Sequence, residues 1–301
     1  MTRASWRSIR AESARRLRSA GLPNAENEAR FIVEEASGYD ASEWTDAAEI
    51  APPAPAEARA RSLVDRRVAG EPLQYVLGSW SFHGLDLMVD SRVLIPRFET
   101  EVVVDVALEE AARLGLRRRQ RTVAVSDPST VATVVDAGTG SGAIALALEA
   151  ALPDVEVWAT DVSEDALTVA RANVAGCAAA RVRLMAGSWF EALPLTLRGR
   201  VTMLVSNPPY VAESEVPALP DEVAKYEPYE ALVAGPTGRE ALEHLVTAGR
   251  AWLTAPGTLV CELAPHQAEP MVAFALAQDY REAFVRDDLA GRRRVLVARA
   301  G

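Results

Sequence analysis

A chain of 301 residues, 49% of them hydrophobic, is long enough to bury one large core or two unequal ones. Its formal net charge of −10 argues against a general electrostatic grip on nucleic acid, and two cysteines, Cys177 and Cys261, are too few for a disulfide framework or a cysteine-rich metal site. No apolar run is long enough to span a bilayer and the N-terminus lacks the apolar core of a secretory signal, so the expectation is a cytoplasmic protein, monomeric by default and not membrane-bound.

In chain order, Trp6, Ile9 and Leu17 fall at helical spacing with the small Ser13 between them, while Arg7, Arg10, Arg15, Arg16 and Arg18 lie mostly on the other faces. This predicts an amphipathic first helix with a solvated arginine face. Gly21, Pro23 and Asn24 end it and cap a second helix carrying Ala29, Ile32, Val33 and Ala36. A third, short helix is expected over 41–50, and a fourth from the prolines at 52, 53 and 55 to about Val68. Together they predict a helical bundle over 1–75. Trp80, Phe82, Leu85, Leu87 and Val89 alternate around His83-Gly84, the pattern of a β-hairpin, read as a linker over 76–95 to a large domain over 96–301.

Residues 92–101 read RVLIPRFETE and lead into a helical pattern through Val102, Val103, Val106, Leu108 and Leu114. The polar stretch 117–130 is expected to be a surface loop. Strand and helix then alternate. An apolar strand over 131–137 carries Asp136 near its end, and Gly138-Thr-Gly-Ser-Gly142 opens directly into the helical run Ala143–Ala151. Glycines there let the backbone turn tightly and approach a ligand, and the helix start supplies unpaired N–H groups. The next strand ends at Asp161, roughly twenty residues on, where a carboxylate can accept both hydroxyls of a ribose.

A third strand, with Val201, Met203, Leu204 and Val205, stops at Ser206-Asn-Pro-Pro-Tyr210. Proline at 208 and 209 fixes φ and removes two donors, and Asn207 is pushed toward extended geometry. The Asn207 side-chain oxygen and the Pro208 carbonyl can then face one point as rigid acceptors for a planar NH2 group, with Tyr210 as an aromatic face. A Gly-rich loop alone is weak evidence. Followed by an acid at the end of the next strand and this motif at the end of a later one, it predicts an α/β, Rossmann-like and mostly parallel sheet binding a nucleoside-type cofactor.

The spelling Asp136-Ala-Gly-Thr-Gly-Ser-Gly142 differs from G-x-G-x-x-G and resembles the first motif of class I S-adenosylmethionine methyltransferases. With Asn207-Pro-Pro-Tyr210, with Pro72-Leu-Gln-Tyr75, Gly78, Phe82 and Gly84, and with Leu94-Ile-Pro-Arg-Phe-Glu-Thr-Glu101, nearly the whole chain resembles the HemK family of protein-glutamine N-methyltransferases. That resemblance implies S-adenosylmethionine as cofactor and the Gly-Gly-Gln loop of peptide chain release factors as substrate. It implies no metal and no stable nucleic-acid binding, and gives the N-terminal bundle the role of holding the substrate protein. It places cofactor contacts at Asp136, Gly138, Thr139, Gly140, Gly142, Asp161, Ser188, Trp189 and Asn207. It places the chemistry at Asn207, Pro208, Pro209 and Tyr210, with Arg97, Phe98 and Glu101 beside the substrate. Thr100, Glu227, Pro228, Glu262 and Gln267 match further family positions. The chain departs from the pattern at Phe98, Ser188, Thr202 and Ala264, where the family has proline, aspartate, an acid and glycine.

The residues themselves leave other classes open at this point: an N-methyltransferase acting on a small-molecule amine or amide, or an amino methyltransferase acting on a flipped nucleic-acid base. His83, His244 and His266 show no metal-ligand spacing, and no nucleophilic triad is apparent.

Overall fold

The structure, a computed structural model, describes residues 4–116 and 131–301, so the loop expected over 117–130 lies outside the described residues. The chain forms two compact units. One comprises the residues up to Ser79 together with Pro220–Tyr226, the other Trp80–Leu219 with Glu227–Gly301.

The first unit is built on helices α1 (Trp6–Ser19), α2 (Ala25–Ser37), α3 (Trp44–Ala47), α4 (Ala54–Val68) and α5 (Leu73–Leu77). Ser5 caps α1 through its side chain, and Gly38, in the left-handed region, ends α2. The apolar stripes close on one core of Trp6, Ile9, Leu17, Ile32, Val33, Leu63, Val64, Leu73 and Val76. Arginines of the first helix lie on its solvent side as expected, and Arg7, Arg16 and Arg18 pair with Glu49, Asp65 and Glu26 of the same unit. The short helix α5 was not anticipated, because five residues between Pro72 and Gly78 are too few to show a period.

The second unit starts within the predicted hairpin, β1 (Ser79–Phe82) and β2 (Leu85–Met88). His83 at φ 47° and Gly84 at φ 78° supply the paired left-handed residues that a two-residue turn needs to match strand twist. Phe82 and Leu87 are buried in this unit's core, so the hairpin belongs to it and is no linker. Conversely Pro220–Tyr226, expected inside the large domain, packs in the first unit.

Helix α6 (Phe98–Arg113) follows, then the alternation β3 (Ala132–Ala137), α7 (Ala143–Ala151), β4 (Val155–Asp161), α8 (Glu164–Gly176), β5 (Val182–Ala186) and β6 (Val201–Ser206). Beyond β6 lie the short β7 (Val211–Ala212), α9 (Asp221–Tyr226, within the first unit), α10 (Tyr229–Leu232) and β8 (Val233–Gly235). The chain closes with α11 (Glu240–Gly249), β9 (Leu253–Glu262), α12 (Ala268–Ala277), β10 (Glu282–Asp287) and β11 (Arg293–Ala300). Seven strands form one sheet in the order β10-β11-β9-β6-β3-β4-β5, parallel except where β11 runs against both of its neighbours.

Both faces of this sheet are covered, which is why its strands read as continuous apolar runs. Val134, Met203, Val205 and Val260 face one core with α6 and α7, while Val135, Leu204, Leu259 and Cys261 face the other with α11 and α12. The chain leaves β3 toward β4 on one side and returns to β6 on the other, so the C-terminal ends of β3 and β6 flank the crevice where strand order reverses. Among the described residues, no helix is long and apolar enough to cross a membrane.

Candidate active site

The glycine loop leaves β3 with Gly138, Gly140 and Gly142 all at positive φ, a path closed to side chains without strain. The Trp189 ring packs on it: a Cβ on Gly138 would lie 3.3 Å from that ring. Asp136 is fully buried and holds the loop from within, its Oδ2 accepting from Thr139 Oγ1 at 2.6 Å and from the Ala145 N–H at 3.1 Å. Burial pushes its carboxyl up to about 7, against the pull of these two hydrogen bonds. At the end of β4, Asp161 accepts from Gly140 N at 2.8 Å through Oδ2 and from Ser163 N at 2.9 Å through Oδ1. Burial raises its carboxyl too, opposed by these backbone donors. The Val162 N–H is a third backbone donor to this carboxylate, which lines the cavity described below.

At the end of β6, Ser206 Oγ donates to the Ala137 carbonyl at 2.5 Å and fixes the strand exit against β3. Pro208 is buried, while Asn207, Pro209 and Tyr210 are half-buried. The Asn207 Nδ2 donates to Thr100 Oγ1 at 3.1 Å, Thr100 Oγ1 donates to Glu262 Oε2 at 2.7 Å, and the Tyr210 hydroxyl donates to Glu262 Oε1 at 3.1 Å. Burial beside the Glu262 carboxylate raises the Tyr210 phenol, which therefore stays a neutral donor. Beyond the motif, Gln267 Nε2 donates to the carbonyls of Tyr210 at 3.0 Å and Gly238 at 2.9 Å. A Cβ on Gly238 would come within 2.7 Å of the Tyr210 carbonyl, so only glycine lets these segments approach.

One cavity of about 530 Å³ brings the two motifs together, lined by Gly138, Thr139, Gly140, Asp161, Ser188 and Trp189 on one part and by Asn207 and Pro209 on another. Several anticipated residues sit elsewhere. Asp136 and Gly142 are absent from its wall and shape the loop instead, Gly142 capping α7. Glu101 is drawn away by the hairpin turn, its Oε1 accepting from His83 N at 2.8 Å. Arg97 is ion-paired with the buried Glu227. Phe98 is 67% exposed and packs at a tilt against Trp80, ring centroids 6.2 Å apart. Neither Arg97 nor Phe98 lines the cavity, and Pro208 and Tyr210 are absent from its wall as well.

Sequence reasoning missed part of the wall. Arg92, Val93, Leu94 and Pro96 line it together with Thr100, as do Val162, Ser163, Glu230 and Ala231. The RVLIPRFETE stretch carried the signal, but its turn into α6 decides which residues look inward, and Thr100 rather than Glu101 does. Glu262 matched a family position at a late strand end, but its burial was not legible, since a carboxylate there is ordinarily exposed, whereas here it is 1% exposed. Among the described residues, no group of three or more His, Cys, Asp or Glu is arranged to hold a metal ion.

A left-handed glycine turn from the first strand, an acid closing the second and an amide motif closing the fourth strand of the sheet, all on one crevice, suit S-adenosylmethionine. Fold and site define a class I S-adenosylmethionine-dependent methyltransferase, and residues 123–225 match the family model described as methyltransferase small domain. Residues 8–78 match the model described as PrmC N-terminal domain. The chain belongs to the release factor glutamine methyltransferase family. It is 37% identical to the release factor glutamine methyltransferase of Deinococcus radiodurans over 97% of this chain and 98% of that one. It is also 37% identical to that of Moorella thermoacetica, over 95% of each. Among solved structures, the hMettl16 catalytic domain superposes with a TM-score of 0.52 at 15% identity over 81% of each chain, a likeness of fold.

Proposed function

We propose that this chain transfers a methyl group from S-adenosylmethionine to the side-chain amide nitrogen of a glutamine, that of the Gly-Gly-Gln loop of a peptide chain release factor, in the cytoplasm. The observation that carries it is that Asn207 and Pro209 share one cavity with the glycine loop and Asp161, which sets an amide acceptor beside a cofactor cradle. S-adenosylmethionine supplies a methyl group already activated by its sulfonium charge.

The residues of the chain then have to orient more than to deprotonate. An amide nitrogen is a poor nucleophile because its lone pair is delocalised into the carbonyl. Asn207 Oδ1, at the cavity wall, accepting from one of its N–H groups, favours pyramidal nitrogen and stabilises the positive charge that grows there. With the nitrogen so held, the N–C bond would form as the S–C bond of bound cofactor breaks, and one amide proton would leave to water. Alignment of this kind is worth several kcal/mol, on the order of 7 in favourable model systems. Asp161 would hold the cofactor's ribose, and Ser188 and Trp189, which line the same cavity, would border its base.

The test is labelled cofactor with a whole release factor, the same factor with its loop glutamine replaced, and a short peptide of the loop. Label confined to that glutamine, and far faster transfer to the whole factor than to the peptide, is the expected result. Labelling of a small amine in preference to the factor would favour the small-molecule reading. A second prediction follows from the cradle. Asp161→Ala removes charge-assisted hydrogen bonds worth about 1.5–3 kcal/mol each and strands the Gly140 N–H, so cofactor affinity should fall by tenfold or more. Calorimetric titration that shows unchanged affinity would refute the ribose role.

A further inference from the structure

The direction of the hydrogen bonds around Asn207 is imposed from a residue that never lines the cavity. An ionised carboxylate is acceptor-only, so Glu262 requires both the Thr100 hydroxyl, at 2.7 Å, and the Tyr210 hydroxyl, at 3.1 Å, to donate to it. With its single proton committed, Thr100 Oγ1 can only accept from its remaining neighbour, and that neighbour is Asn207, at 3.1 Å. The Asn207 amide must therefore turn its NH2 to Thr100, which leaves Oδ1 to the cavity that Asn207 lines. Reversed, the amide would present a donor to a substrate NH2 group and repel it. We propose that Glu262, acting through Thr100, is the positioning residue that sets the acceptor polarity of the active site, a role that rests on the methyl-transfer reading above.

The surroundings bear on when the relay works. Glu262 is 1% exposed and faces Thr100 and Glu99 of α6, Tyr210 beyond β6 and Arg294 of β11. Burial pushes its carboxyl up. The Thr100 hydrogen bond, the Arg294 charge and the Tyr210 hydrogen bond pull it back, and the Glu99 charge adds to the rise. Because the pKa is raised, the acceptor form is lost as pH falls through that raised value. A protonated Glu262 can donate to Thr100, release its hydroxyl toward Asn207 and permit the amide to reverse. Methyl transfer should therefore show an acid limb that belongs to Glu262.

The experiment compares Glu262→Gln, Thr100→Val and Thr100→Ser with wild type on the whole release factor. Glu262→Gln offers donor and acceptor alike, and Thr100→Val removes the hydroxyl at nearly constant shape. Both should lower kcat by about 10²-fold, the cost of a misdirected reacting group, with cofactor Kd unchanged. Thr100→Ser should keep most of kcat, and the acid limb should vanish in Glu262→Gln. Wild-type kcat in Thr100→Val, or an acid limb that survives in Glu262→Gln, overturns the proposal. Equal losses in Thr100→Ser and Thr100→Val would overturn it as well. A readout without turnover separates this from the substrate reading. Nuclear Overhauser contacts from the Asn207 side-chain NH2 protons to Thr100 should be present in wild type and in Thr100→Ser, whether or not a release factor is methylated. Their absence sinks the relay alone.

Discussion

Asn207→Ala is expected to lose methyl transfer by about 10²–10³-fold, the range seen when one oriented hydrogen-bonding group that acts on developing charge is removed. Cofactor affinity should stay near that of wild type, because Gly138, Gly140 and Asp161 make their bonds to one another and to backbone without Asn207. The loss should fall on kcat more than on KM, since the acceptor is worth most when charge builds on the substrate nitrogen. Single-turnover rates with saturating release factor, set beside calorimetry for the cofactor, make the measurement. Turnover within a few-fold of wild type would remove Asn207 from the chemistry and leave it as a spacer between β6 and its prolines.

That prediction could be written from the sequence, and the reason is physical. Asn207-Pro-Pro-Tyr210 ends an apolar run, and its prolines restrict the backbone whatever surrounds it. The glycine loop and Asp161 are legible in the same way, because backbone turns and strand ends are local properties. The sheet was legible too, its strands buried on both faces and so spelled in continuous apolar residues. Side-chain direction at a helix start is not local. Glu101 and Thr100 are neighbours in RVLIPRFETE, yet one turns to the His83 N–H and the other to Glu262 and Asn207, and only the packing of α6 on hairpin and sheet decides between them. Glu262 joins the site from 162 residues beyond Thr100, a separation at which no spacing rule applies.

The hairpin misled for a related reason. Four residues of alternating pattern on either side of His83-Gly84 announce strands, but whether they link two bodies or belong to one depends on what Phe82 and Leu87 are buried against. Pro220–Tyr226 is the converse case. Its sequence, with Asp221, Glu222 and Lys225 exposed or nearly so, carries no apolar stripe to declare that it packs in the helical unit. What holds it is polar, and that leads to the second large effect.

Arg67→Ala should destabilise the helical unit by about 3–5 kcal/mol, the cost of leaving one charge of a buried pair alone. The Arg67 guanidinium, on a side chain only 5% exposed, donates to Glu28 through Nε at 2.7 Å and Nη2 at 3.1 Å. Its Nη1 donates to the Glu71 carbonyl and to Glu222 Oε1, each at 2.9 Å. Glu28 is itself 8% exposed, so without the guanidinium its carboxylate is buried and loses the bidentate partner that compensated it. Glu222 is the exposed end of the cluster, its side chain 44% exposed, and Glu222→Ala should cost only about 0–1 kcal/mol. The same variant loosens Pro220–Tyr226, which retains the Tyr226 hydroxyl bond to the Ala69 carbonyl at 3.1 Å. Replacing both members of the buried pair, Arg67→Met with Glu28→Leu, should recover most of the stability lost by Arg67→Ala, because two apolar side chains need no compensation. Denaturant unfolding of the four proteins measures this. A cost below about 1 kcal/mol for Arg67→Ala, or a double variant no better than the single one, would mean that the Glu28 carboxylate finds water when its partner leaves. Deleting the first helices would not report on this pair alone, since deletion also strips Glu222 and Tyr226 of Arg67 and Ala69.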